Sequence, residues 1–114
     1  MRVIQDVLQA LLRQEGIAGA IVYDDGQVVA STGQDEETEL QAALLGTVFA
    51  ALRQGLDELG AGPLHEAIIE AEDLNILGAQ DGGRLVLAVT HKGANTGLVR
   101  LELRKALRRL VSPH

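Results

Sequence analysis

Apolar residues recur at helical spacing over residues 3–14. Val3, Ile4, Val7, Leu8, Leu11 and Leu12 share one side, and Gln5, Asp6, Gln9, Arg13 and Gln14 take the other. Gly16 stands where a left-handed C-terminal cap is wanted. The period then changes. Ile17 to Tyr23 is a continuous apolar run, as expected of a strand covered on both faces. Asp24-Asp25-Gly26 supplies a turn and Gln27 to Ser31 returns as the partner strand, so residues 17–31 read as a hairpin. Thr32 to Glu37 is a polar loop whose last carboxylates suit a helix start.

The next element, a helix over about residues 36–59, is apolar on more than one side. From Ala42 to Leu52 only Thr47 is polar. At 100° per residue, Leu40, Leu44, Val48, Ala51 and Leu52 make one stripe. Leu45 and Phe49 flank it, and Ala42, Gly46 and Ala50 continue towards the far side. A helix apolar nearly all round must be covered twice, and a chain of 114 residues has little left to cover the second face. A second protein is the simplest cover, with the small residues at 42, 46 and 50 admitting another helix closely. An Ala-rich helix chosen for propensity alone is the plainer alternative.

Gly60, Gly62 and Pro63 end that helix, and three strands follow. Leu64 to Ala71 alternates, with His65, Ala67, Ile69 and Ala71 on one face and Leu64, Glu66, Ile68 and Glu70 on the other. Leu74 to Ala79 is the next strand. After the Asp81-Gly82-Gly83 turn, Arg84 to Thr90 reads as a strand buried on both faces. A closing helix runs from about Asn95 to Val111, capped by Asn95 or Thr96, with Val99, Leu103, Ala106, Leu107 and Leu110 inward. The order αββαβββα predicts one α/β (α+β) domain over residues 1–114: a five-stranded, mainly antiparallel sheet with helices on both faces.

Composition narrows the chemistry. Aromatics are 2% of the chain, which argues against base- or sugar-stacking platforms. Cysteine is absent, so disulfides, thiolate metal sites and thiol nucleophiles are excluded. The start turns polar too early for a secretory signal, and no apolar run reaches membrane-spanning length, so the expected setting is cytoplasmic, without membrane insertion. Charge is uneven: residues 1–82 carry 15 acidic against 3 basic residues, and residues 83–114 carry 1 against 7. The acidic body disfavours nucleic acid as a partner. Arg100, Arg104, Lys105, Arg108 and Arg109 on the closing helix read as a solvated basic face, with an acidic protein surface as the alternative contact.

No catalytic constellation is apparent. His65, His91 and His114 show no metal-ligand spacing, and no serine sits in a Gly-x-Ser-x-Gly elbow. The expectation is no enzyme, no metal and no cofactor. One segment has a faint ligand signature: Lys92, Gly93, Asn95 and Gly97 lie between a strand and a helix, where backbone N–H groups can hold an anion. The plainer reading of that segment is a loop and a helix cap, since the lysine precedes the glycines and no phosphate-loop pattern exists. A small-ligand or anion sensor is the alternative function on this feature.

Three stretches together resemble the roadblock/dynein light-chain family: Gly16 to Gly26 (GIAGAIVYDDG), the Ala/Gly/Leu-rich long helix, and Gly93 to Arg100 (GANTGLVR). The resemblance spans nearly the whole chain. It implies a profilin-like sandwich that forms a homodimer, the third strand pairing with its mate so that two sheets join, and the long helices packing against each other. Carried onto this sequence, the contact comprises Ala42, Leu45, Gly46, Phe49, Ala50 and Arg53 on the helix with His65, Ala67, Ile68, Ile69 and Glu70 on the strand. On this reading a charge at Phe49 splits the dimer. The resemblance also implies a non-catalytic scaffold or regulator of a small Ras-like GTPase, in bacteria one tied to polarity or motility. Relatives that stimulate hydrolysis carry chain beyond this core, so binding is expected rather than activation, with Arg53 the one candidate for an arginine supplied in trans.

Overall fold

The computed structural model describes residues 2–33 and 35–111. Its elements are α1 (Arg2–Leu12), β1 (Ile17–Asp24), β2 (Gln27–Ser31), α2 (Glu36–Glu58), β3 (Glu66–Glu70), β4 (Leu74–Asp81), β5 (Arg84–His91) and α3 (Thr96–Val111). The five strands form one sheet in the order β2-β1-β5-β4-β3, every pair antiparallel. The predicted order and sheet are therefore observed, with boundaries shifted by a few residues.

The two continuous apolar runs, β1 and β5, lie side by side in the middle of the sheet. Val22 pairs with Val86 and Tyr23 with Leu85, and all four are buried. Successive residues point to opposite faces, so the first pair serves one layer and the second the other. On one face α1 and α3 bury Val7, Leu8, Leu11, Val99, Leu103 and Ala106 against Ala20, Val22, Leu77 and Val86. On the other, α2 alone presses Ala42 and Phe49 onto Ile21, Tyr23, Leu85 and Leu87.

Local chemistry fixes the ends. The β1–β2 turn holds both Asp25 (φ 50°) and Gly26 (φ 83°) in the left-handed region, the geometry that a two-residue hairpin prefers. Gly16 has φ 93°, and a Cβ there would lie 2.6 Å from the Ala94 methyl, so the α1–β1 link admits only glycine. Asp35 caps α2, accepting from the Thr38 backbone N–H at 2.8 Å and from its hydroxyl at 2.7 Å. Those bonds, the backbone one foremost, hold its carboxyl below the usual range. β3 starts at Glu66, two residues later than the sequence pattern suggests, because Leu64 packs towards the α2-side core instead of alternating as a strand residue.

Candidate functional site

Two surfaces are left open on one side of this fold. The first is the outward face of α2. Leu40, Leu44, Val48 and Leu52 follow one another at i+4 and are 61%, 58%, 43% and 37% exposed. The second is the free edge of β3, the last strand of the sheet. That edge carries neither proline nor lysine, the usual guards against strand addition; its sequence is Glu-Ala-Ile-Ile-Glu, and Ile68 is 43% exposed. The two elements adjoin, since Ala67 and Ile69 of β3 pack against the core beneath α2.

The helix thus has two apolar faces, as its sequence suggests, but their assignment is the reverse of the expected one. Phe49 and Ala42 are fully buried in the chain's own core and have no surface to offer a partner. The sheet decides this. Gly78 leaves a hollow beneath α2 into which the Phe49 ring fits, and a Cβ at 78 would meet that ring at 2.7 Å. Gly46 likewise lies over Tyr23, where a Cβ would approach the ring to 3.0 Å. Ala42 and Gly46 thus serve the sheet, not a neighbouring helix. The Tyr23 hydroxyl then donates to the Ala42 carbonyl at 2.5 Å within the helix, and burial pushes its pKa up to about 12. Leu45 and Gly46 are half-buried on this inner side, and Ala50 is exposed.

Arg53 belongs to the inner side as well. It is half-buried, and its Nη1 donates to Gln80 Oε1 at 3.2 Å, while Gln80 Nε2 donates to the Gly82 carbonyl at 3.0 Å. Cavities of about 400 and about 470 Å³ flank this pair at the end of the sheet. A guanidinium held there points along the sheet end and does not project from the outer face of α2.

On β3, Ala67 and Ile69 face the α2 layer, whereas Glu66, Ile68 and Glu70 pair with Ala79, Leu77 and Asn75 on the other face. His65 is exposed just before the strand, and its carbonyl accepts from Gln80 N–H at 2.8 Å. The sequence pattern gave no sign of what Glu66 does. Its Oε1 accepts from Arg100 Nε at 3.0 Å and Nη2 at 2.9 Å, and its Oε2 accepts from Arg104 Nε. The hydrogen bond from Arg104 is the largest influence; desolvation opposes it, and with the Arg100 hydrogen bond and the charges of both arginines added the Glu66 carboxyl is held below its ordinary range.

The Lys92–Gly97 segment does not converge on one point. Lys92 Nζ donates to Asn75 Oδ1 at 2.9 Å, across the β4–β5 pair, and is turned from the loop cavity of about 500 Å³ that Glu15, His91, Gly93 and Asn95 line. Asn95 caps α3, its Oδ1 accepting from the Leu98 N–H at 3.1 Å, which favours the cap reading. Gly93 and Gly97 are exposed. His114 lies outside the described residues. Among the described residues no three of His, Cys, Asp and Glu gather as a metal site, and no helix is long and apolar enough to cross a membrane.

An antiparallel five-stranded sheet edged by β2 and β3, with paired helices on one face and a single long helix on the other, defines the protein as an α+β sandwich. The chain belongs to the Roadblock/LC7 domain family, whose sequence profile matches residues 3–91. It is 31% identical over 109 residues to the uncharacterized protein MJ1340 of Methanocaldococcus jannaschii, covering 94% of this chain and 96% of that one. Among solved structures it resembles MglB of Myxococcus xanthus, with a TM-score of 0.82 at 22% identity over 94% of this chain and 90% of that one. The gliding protein MglB of Thermus thermophilus gives 0.80 at 22% identity over 96% and 86%.

Proposed function

We propose that the protein is a homodimeric, non-catalytic regulatory module that binds a small Ras-like GTPase through the face carrying its paired α2 helices, in a polarity- or motility-type system. The observation that carries the dimer is the outward row Leu40, Leu44, Val48 and Leu52 beside the unguarded β3 edge. A row of four exposed apolar side chains on one helix is costly in water, and a two-fold partner covers it with an identical row. Strand pairing at β3 at the same time satisfies the free N–H and C=O groups of the edge. Solved relatives support self-association, one being described as MglB with a tetrameric arrangement. The gliding proteins among them support the motility setting.

The Arg53 geometry favours binding over activation. An arginine acting in trans must reach the transferring phosphate, whereas Arg53 is engaged by Gln80 on the sheet side of α2. Two measurements test the reading. Sedimentation velocity should give twice the 12.1 kDa chain mass. Small Ras-like GTPases from the same genome, loaded with a non-hydrolysable GTP analogue or with GDP, should then be titrated onto immobilised dimer. Binding that depends on the nucleotide state supports the proposal; a folded monomer, or indifference to every such GTPase in both states, overturns it.

A further inference from the structure

The ion cluster on β3 carries one positive charge too many. Glu66 supplies one carboxylate to Arg100 and Arg104, and its two oxygens are both used by them. Arg100 Nη1 and both Nη atoms of Arg104 have no acceptor among the described residues. Lys105, the next cation on α3, is taken by Glu102 at 3.3 Å. Four residues along the same strand and on the same face, Glu70 is exposed and has no ion-pair partner among the described residues. Lys92 is bonded to Asn75, the residue opposite Glu70 on β4.

Strand geometry connects the two halves of this mismatch. If a second copy adds to the β3 edge about a two-fold axis and keeps its α2 on the same side of the joined sheet, residues of like parity must oppose each other. Centring the axis on Ile68 pairs all five strand residues: Ile68 with its own mate, Ala67 with Ile69, and Glu66 with Glu70. Centring on Ala67 or Ile69 pairs only three and leaves one glutamate beyond the ladder. Directly opposed side chains have Cβ atoms about 5 Å apart, and like charges so placed repel. Here the two arginines already surround Glu66.

Building on the dimer proposed above, we infer that β3 pairs with its mate in the register centred on Ile68, and that Glu70 of each chain completes the Glu66–Arg100–Arg104 cluster of the other. Each side of the axis then holds two carboxylates and two guanidinium groups. The cluster selects both register and partner: the strand of another protein lacking an acid at the fifth position would leave the arginines in excess.

Register is read by cross-linking, since the chain has no cysteine of its own. Single variants Ala67→Cys, Ile68→Cys and Ile69→Cys of the full chain are oxidised mildly. Directly opposed positions lie within bridging distance and diagonal ones, at about 7–8 Å or more, do not. The Ile68→Cys chain should cross-link at least tenfold faster than the other two. The ionic part is read by a double-mutant cycle of Glu70→Gln and Arg104→Gln on the dimer dissociation constant. Each single change should weaken the dimer about threefold to tenfold at low salt, and the double variant no more than the worse single one. Glu70→Lys should weaken it further. A dimer that cross-links faster through position 67 or 69 overturns the register while leaving the dimer intact. A dimer with additive Glu70 and Arg104 effects, or none, overturns the ion cluster. A monomeric parent chain overturns both the dimer and this inference.

Discussion

Leu44 and Phe49 lie little more than one turn apart on α2 and should respond oppositely to substitution. Leu44 is 58% exposed and Phe49 is fully buried. Burying a whole leucine is worth about 2.5 kcal/mol, so covering the exposed part of Leu44 contributes about 1.5 kcal/mol per chain and about 3 kcal/mol per symmetric dimer. At about 1.4 kcal/mol per tenfold, Leu44→Asp should weaken association roughly a hundredfold, before the cost of desolvating the new carboxylate is added. The protomer loses little, on the order of 0.5 kcal/mol of helix propensity. Phe49→Ala instead empties the hollow over Gly78 and should cost the fold about 3–5 kcal/mol. Sedimentation velocity over a concentration series gives the association constants, and circular-dichroism melts give the stabilities. Leu44→Asp should stay folded and become monomeric, and Phe49→Asp should unfold, not release a folded monomer. A Leu44→Asp chain that associates like the parent, or a folded monomeric Phe49→Asp chain, would refute the assignment of the two faces.

Five further outcomes are expected. Tyr23 is the chain's single tyrosine, so absorbance near 295 nm titrates it alone; phenolate should appear only near pH 12, and stability should fall as the pH rises from about 10, where the unfolded chain ionises first. Tyr23→Phe removes a buried hydrogen bond and should cost about 1 kcal/mol, a few degrees in Tm. Gly78→Ala places a methyl 2.7 Å from both the Phe49 ring and Leu87, and calorimetry should register an overpacking loss of about 1–3 kcal/mol. Glu66, its folded pKa depressed, contributes stability that is full above the ordinary carboxylate range and is lost as the pH falls through the folded value; Glu66→Gln should flatten that part of the acid unfolding curve. Millimolar phosphate should leave Tm unchanged, since Asn95 already caps α3 and Lys92 is bonded to Asn75.

Most of the fold was legible because its strongest signals are local. The 3.6-residue stripes of α1 and α3, the unbroken apolar runs of β1 and β5, and the Asp-Gly turn each state their element within about a dozen residues. The orientation of α2 was not. Angular position shows that two faces are apolar but does not say which meets the sheet. The deciding residue is Gly78, about thirty positions downstream, whose missing side chain makes room for a ring. The leucine-rich row at 40, 44, 48 and 52 was visible in the sequence, yet its outward direction follows only from that hollow. The Glu66 cluster joins residues 34 and 38 apart, and the Lys92–Asn75 bond crosses a strand pair whose register the sequence does not print.

The two layers of this sandwich are unequal, and the inequality links stability to association. Among the described residues, fourteen buried ones make up the core on the α1/α3 side, and six make up the core under α2. Of the 23 residues of α2 only Ala42 and Phe49 are buried, and its inner contact otherwise rests on half-buried Leu45, the tyrosine hydrogen bond and the Arg53–Gln80 hydrogen bond. A helix so lightly held loses little more by facing a partner than by facing water, and gains whatever area the partner covers. The glycines that seat it tightly, Gly46 and Gly78, keep it close to the sheet while its leucines stay outside. On this account α2 is the layer most weakly held in an isolated protomer, and a second copy strengthens it from the outside. Dimerisation and the folding of α2 then become one equilibrium, shifted by protomer concentration. A partner docking on the paired helices would act on the segment with the smallest intrinsic hold, where a modest binding energy shifts conformation most.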